Sequence, residues 1–170
     1  MKTDILLKRR SIRKYKDTPV PEEKLAEILK AGTFAPTGMN RQTPLMVAVT
    51  KKETRDLLER ENAKVMGDEE KKPFYGAPAL IVVFRDPDIY TGFEDACLVM
   101  GNLLNAAEAA GLGSCWIHRA KEVFETPKGK ELMKKWGVPE NFIGVGNVIL
   151  GYADEDPAPK PRKAGYIIYD

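Results

Sequence analysis

The stretch Gly92-Phe93-Glu94-Asp95-Ala96-Cys97-Leu98-Val99-Met100-Gly101-Asn102-Leu103-Leu104-Asn105-Ala106-Ala107-Glu108-Ala109-Ala110 decides how this chain must be built. Wound as a helix, it carries apolar residues over most of its circumference, and a helix that is apolar nearly all round is buried nearly all round. In a chain of 170 residues such a helix is central, either within one subunit or beneath a second one. Its many alanines would let another helix come close. Periodicity alone leaves both arrangements open.

Outward from this helix the chain alternates between strands and helices. Gly111-Leu112-Gly113 ends it, and Ser114 to Ile117 reads as a short strand. Thr126 and Pro127 open a helix over Lys128 to Trp136, which Gly137 closes, because proline suits a first turn and glycine a left-handed cap. Phe142 to Tyr152 reads as a glycine-containing strand. The segment Asp154 to Lys163, with Pro157, Pro159 and Pro161, suits neither a helix nor a central strand and reads as an extended arm. Tyr166 to Tyr169 then reads as a strand, which would pair with a sheet edge of its own subunit or of a partner. On the N-terminal side, Ala79-Leu80-Ile81-Val82-Val83-Phe84 has the length and branching of a buried strand. Lys52 to Met66 reads as a helix and Leu45 to Val49 as a strand. A helix starts near Pro21, carries Leu25, Ile28 and Leu29 inward, and stops at Gly32 and Pro36. Thr3 is placed to cap a short helix ending near Arg9. Without a strict βαβ repeat, the expected fold is α+β, with one mixed sheet packed on helices in a single domain over residues 1–170.

Bulk properties narrow the function classes. Hydrophobic residues at 43% and charged residues at 31% are globular values. A net charge of +2 makes no case for a nucleic-acid or membrane partner. No apolar run approaches the roughly 20 residues that span a bilayer, and Met1-Lys2-Thr3-Asp4 opens no signal peptide. The cytoplasm is the expected location. The two cysteines, Cys97 and Cys115, form no CxxC pair, and with His118 as the one histidine the usual metal sites lack ligands. Both thiols are expected reduced and buried. A nucleophilic Cys115–His118 pair is disfavoured, because three positions along a strand place side chains on opposite faces.

Four clusters carry chemistry. Arg9-Arg10-Ser11-Ile12-Arg13 offers fixed, paired donors suited to a phosphate. Gly111-Leu112-Gly113 lies at a helix end and lacks the spacing of a dinucleotide fingerprint, which argues against a Rossmann site. Ala35-Pro36-Thr37-Gly38-Met39-Asn40-Arg41-Gln42-Thr43-Pro44 makes a fixed loop whose amides, Asn40 and Gln42, can read the edge of a heterocycle. The others are Gly113 to His118 and Lys160-Pro161-Arg162-Lys163. A nucleic-acid role for the arginines is disfavoured by the near-neutral charge and the absence of interleaved aromatics.

In order and spacing these clusters resemble the nitroreductase family of flavoproteins. The matching features are Arg9 to Tyr15, Val20-Pro21-Glu22-Glu23, Ala35 to Gln42, Phe74-Tyr75-Gly76-Ala77-Pro78-Ala79, Ala110 to Ile117, and the proline arm with Arg162. The resemblance implies a central, mainly antiparallel sheet flanked by helices and an intertwined homodimer that exchanges its C-terminal arms, residues 154–170. It implies FMN as cofactor and NADH or NADPH as electron donor. Arg9 would meet the FMN phosphate with Arg10 and Ser11 alongside, and Arg13 would lie at the pyrimidine edge of the ring. Asn40 and Gln42 would come from the other subunit, from a loop that includes Pro36 and Thr37. Ile117 to Ala120 would pass the ring and offer main-chain donors near N5, and Cys115, Trp116, Ile117 and His118 would be among the flavin contacts. Lys160 and Arg162 would complete the phosphate site. Departures exist: Thr37 stands where the family usually has serine, the aromatic after Gln-Pro is replaced by Gln42-Thr43-Pro44-Leu45, and Ile117-His118-Arg119 stands where Gly or Asn is common. The expected activity is transfer of electrons to a small oxidised acceptor such as a nitroaromatic or quinone. No catalytic side chain is evident beyond His118 as a candidate proton donor. A flavin carrier or sensor without turnover is the alternative.

Overall fold

The computed structural model describes residues 3–170. Its frame is a four-stranded sheet of β1 (Leu45–Val49), β2 (Ala79–Arg85), β3 (Gly113–Ile117) and β4 (Ile143–Gly151), in the order β1-β2-β4-β3. All three strand pairings are antiparallel, so the mixed sheet expected from sequence is antiparallel in its strands. A parallel contact enters as an isolated bridge between Ser11 and Ser114. Helices α1 (Asp4–Lys8), α2 (Glu22–Gly32), α3 (Lys52–Val65), α4 (Gly92–Ala109), α5 (Ala120–Glu125) and α6 (Pro127–Trp136) surround it.

The unbroken apolar run of β2 follows from burial on both faces. Ala79, Ile81 and Val83 join Leu25 and Ile28 of α2 and Ala96, Val99, Met100, Leu103 and Ala107 of α4. Leu80, Val82 and Phe84 join Leu58 of α3, Val123 and Phe124 of α5 and Leu132 and Met133 of α6. The Phe84 and Phe124 rings meet edge to face at 4.8 Å. Two helical layers therefore sandwich one sheet.

Five expectations change. α4 is buried at Ala96, Met100, Leu103 and Ala107, but Phe93 is 51% and Leu98 47% exposed, so within one chain a stripe of it stays open. Cys97 on this helix is half-buried rather than buried, with burial and then Glu94 pushing its thiol pKa up; Cys115 is buried. α5 was not anticipated: the strong start signal at Thr126 and Pro127, whose hydroxyl accepts from Gly129 N at 3.0 Å, hides the apolar spacing of Ala120, Val123 and Phe124. Thr3 precedes α1 but makes no side-chain cap bond. Residues 166–169 form no strand and are exposed at 83%, 67%, 90% and 88%, because no ladder partner from the chain's own sheet meets them. Among the described residues no helix is long and apolar enough to cross a membrane.

Candidate functional site

The N-terminal arginines are placed by backbone bonds rather than by their side chains. Ile12 N donates to Ser114 O at 3.0 Å, and Lys16 N donates to Tyr152 O at 2.9 Å. Asp154 N returns a bond to Lys14 O at 2.9 Å, and the Glu155 carboxylate accepts from Arg13 N. Residues 11–16 are thus held between the start of β3 and the exit of β4. Gly113 permits the approach: a Cβ there would come within 2.8 Å of Ile12 Cγ1. Tyr15 Oη donates to Ile12 O at 2.7 Å, and burial, then nearby Cys115, pushes its phenol pKa well up.

This threading divides the arginine cluster. Arg10 and Ile12 line one cavity with Lys8 and Glu108. The Arg10 guanidinium is spent on Leu7 O and Arg9 O, both at 2.8 Å, and its buried Nε has no partner. Arg13 instead lines a separate cleft of about 220 Å³ with Asn62, Tyr75, Cys115, Trp116, Ile117, His118 and Arg119. The side chains of Arg9 and Arg13 make no hydrogen bond or ion pair among the described residues, which leaves both cations uncommitted.

Cys115 and His118 share the cleft after all. The strand ends at Ile117, so the alternation that should have separated them does not extend to His118. They do not form a bonded pair: Cys115 Sγ donates to Trp116 O at 3.6 Å, and the exposed His118 ring makes no hydrogen bond among the described residues. Past the strand the chain turns sharply, with Arg119 in the left-handed region at φ 78°. Asn62 Nδ2 donates to His118 O at 2.9 Å and Asn147 Nδ2 to Ile117 O at 3.4 Å. The main-chain N–H groups of His118 and Arg119 donate to nothing among the described residues.

The loop from Pro36 to Pro44 lies apart from this cleft and shares no lining residue with it; Thr37 and Gln42 line a different pocket with Met46 and Val99. Thr37 Oγ1 accepts from Gln42 N at 3.0 Å, and Gln42 Nε2 donates to Asn40 Oδ1 at 3.0 Å. Met39, Asn40 and Gln42 all have positive φ, near 54°, and all are exposed. Lys160 and Arg162 are exposed and make no hydrogen bond or ion pair among the described residues. One chain therefore gathers Arg13 with Cys115 to His118, and leaves Asn40, Gln42, Lys160 and Arg162 elsewhere.

The family model described as the nitroreductase family matches residues 6–152. This chain belongs to the nitroreductase family. It is 32% identical over 187 aligned positions to the iodotyrosine deiodinase of Thermotoga neapolitana, covering 98% of this chain and 96% of that protein. It is 28% identical to the NADPH-flavin oxidoreductase of Vibrio harveyi, covering 97% of this chain and 71% of that one. A crystal structure of a nitroreductase with bound FMN from Bacteroides fragilis superposes with a TM-score of 0.91 at 28% identity, covering 98% and 97%. The relatives' names differ in the acceptor, so membership of the nitroreductase family does not by itself name one.

Three residues of this nitroreductase-family site escaped the sequence reading. Asp95, 3% exposed, accepts from Gly38 N at 2.9 Å and from Thr91 Oγ1 at 3.0 Å, and so ties the amide loop to α4. A second carboxylate, next to Glu94 in the first turn of a largely apolar helix, was the available signal. Asn62 and Asn147, 0% and 2% exposed, hold the turn after β3. An asparagine facing a core has no local signature.

Proposed function

We propose that this chain is an FMN-dependent NAD(P)H oxidoreductase that reduces a small oxidised acceptor, a nitroaromatic, a quinone or a related compound, and works as a homodimer with FMN held between subunits. The observation that carries this reading is the division of the site. Arg13, His118 and Arg119 line one cleft, and the main-chain N–H groups of the last two donate to nothing among the described residues, while Asn40 and Gln42 are exposed elsewhere. At about 220 Å³ the cleft falls below the roughly 300–1,000 Å³ of ordinary ligand pockets. A second copy that brings its own loop would enlarge it. The open stripe of α4 at Phe93 and Leu98 is a surface such a copy would cover.

The residues present fit FMN. The donor set suits it: the Arg13 guanidinium, without a partner among the described residues, lines the cleft beside Trp116 and Ile117. Arg9 supplies an uncommitted guanidinium for the phosphate, with Ser11 and the main chain of Arg10 beside it. Arg13 places a cation at the pyrimidine edge, where it stabilises negative charge. Cys115, Trp116 and Ile117 wall the ring, and the N–H groups of His118 and Arg119 orient it. Asn40 and Gln42, on the loop with Pro36 and Thr37, close over the ring from the second subunit, and Lys160 and Arg162 complete the phosphate site. FMN held there would supply the redox chemistry that links NADH or NADPH to the acceptor. His118, exposed at the cleft, is the candidate side chain for delivering a proton to that acceptor.

Anaerobic stopped-flow mixing of the FMN-loaded protein with NADH and with NADPH tests the reading. Rapid bleaching of the yellow absorbance, reversed by a nitroaromatic or quinone, is the expected result. Bound flavin that neither nicotinamide bleaches would make the protein a carrier or sensor, and a chain that takes up no FMN would end the proposal.

A further inference from the structure

The turn after β3 is held in a conformation its own sequence resists. Arg119 sits at φ 78° and ψ 9°, a left-handed geometry that glycine adopts freely and a side-chain-bearing residue resists. Such a residue persists only where its surroundings over-determine it. Two buried amides do so here. Asn62 reaches from α3 to His118 O, and Asn147 reaches from β4 to Ile117 O, so the consecutive carbonyls before Arg119 are both held from behind. The Asn62 bond, at 2.9 Å against 3.4 Å, is the stronger.

Asn62 is an expensive residue for that position. It is 0% exposed and its Oδ1 has no donor among the described residues. A buried amide satisfied on one side only is less stable than an apolar side chain of the same size, unless the bond it makes is needed. Leu58, one turn earlier on the same helix, is itself buried in an apolar cluster.

We propose that Asn62 is a positioning residue, holding the His118–Arg119 turn so that its main-chain N–H groups stay fixed at the cleft. The inference rests on the reading that this cleft takes the flavin ring. Asn62 touches the turn, and through the turn it sets the orientation of the ring toward the nicotinamide.

Four proteins decide it: the wild type, Asn62→Leu, Arg119→Gly and the double variant. In the wild-type background Asn62→Leu is expected to slow flavin bleaching at saturating NADH by about tenfold or more, since small misplacements at a reacting centre are costly. The FMN dissociation constant should change by less than about threefold. In the Arg119→Gly background the same substitution should slow bleaching by less than about threefold, because glycine occupies the turn without support. An unchanged bleaching rate in Asn62→Leu, or an equal loss in both backgrounds, overturns the inference. Should Asn62→Leu not fold, Asn62→Asp removes the same donor at equal size and is judged by the same two comparisons. Melting of the four flavin-free proteins separates this inference from the flavin reading. If the wild type takes up no FMN, that reading falls, while a melting shift on Asn62→Leu that is less favourable in the wild-type background than in the glycine background still supports Asn62 as the turn's support, and equal shifts of either sign refute it.

Discussion

Both ends of the chain carry basic groups, Arg9 to Arg13 at one and Lys160 with Arg162 at the other, and the fold treats them in opposite ways. The first segment is bonded through its backbone to β3 and to the chain leaving β4, with Ile12 buried at 7% exposure as its anchor. The second lies beyond the last such bond, at Glu155, and is exposed from Ala158 onward. A cation on a fixed backbone is pre-organised for an anion. A cation on a free arm must first lose conformational freedom, and something outside its own chain has to supply the contacts that offset this loss. The N-terminal arginines therefore belong to the folded subunit, whereas the C-terminal cations have no fixed partner among the described residues of their own chain, and the proposed homodimer is what would supply one.

That contrast is broken or sharpened most strongly by removing residues 156–170. The truncated chain is expected to keep its far-ultraviolet circular dichroism, sediment as a monomer and lose its flavin on dialysis. Loss of two charge-assisted contacts, each worth about 1.5–3 kcal/mol, weakens FMN binding by about a hundredfold or more. A truncated protein that stays yellow and dimeric would break the comparison. Next in size, Arg9→Ala should raise the FMN dissociation constant by about tenfold to a hundredfold, or roughly 1.5–3 kcal/mol, in a fluorescence titration. Arg10→Ala should cost less, since the Arg10 guanidinium is already spent on Leu7 and Arg9 carbonyls; the reverse order would invert the assignment.

The smallest effect concerns Tyr15, which is bridged to Ala153 and lies within the fixed segment. Burial holds its phenol pKa above the usual value of about 10, so the folded chain keeps a proton that the unfolded chain releases. Its contribution to stability is whole below pH of about 10 and declines as the pH rises beyond it. Tyr15→Phe should cost about 1 kcal/mol near neutrality, for the lost bond to Ile12 O, and should flatten the alkaline decline of the urea midpoint. Coincident alkaline slopes in the two proteins would show that the phenol is not held protonated.

Legibility followed the range of the interactions. The arginine cluster, the loop at Pro36 to Pro44 and the cap at Thr126 could be read because each is a local run of residues with a local physical meaning. Asp95, Asn62 and Asn147 could not, because their partners lie 57, 56 and 30 residues away and each sits inside an element whose other residues describe a core. Residues 166–169 form no strand within one chain for a related reason: β-branched and aromatic residues favour a strand only when a neighbour completes the ladder.

The sequence by itself determined that a sheet strand is buried on both faces and that one helix is apolar around most of its girth, because these are properties of short runs and of the 2.0 and 3.6 periods of strands and helices. Only the tertiary structure decided that Arg10 turns to one cavity and Arg13 to another, that Asn62 bonds the His118 carbonyl, and that the amide loop lies apart from the arginine cleft. Those facts depend on which distant segments the packed sheet brings side by side, as with Lys14 and Asp154, and no local period encodes such a pairing.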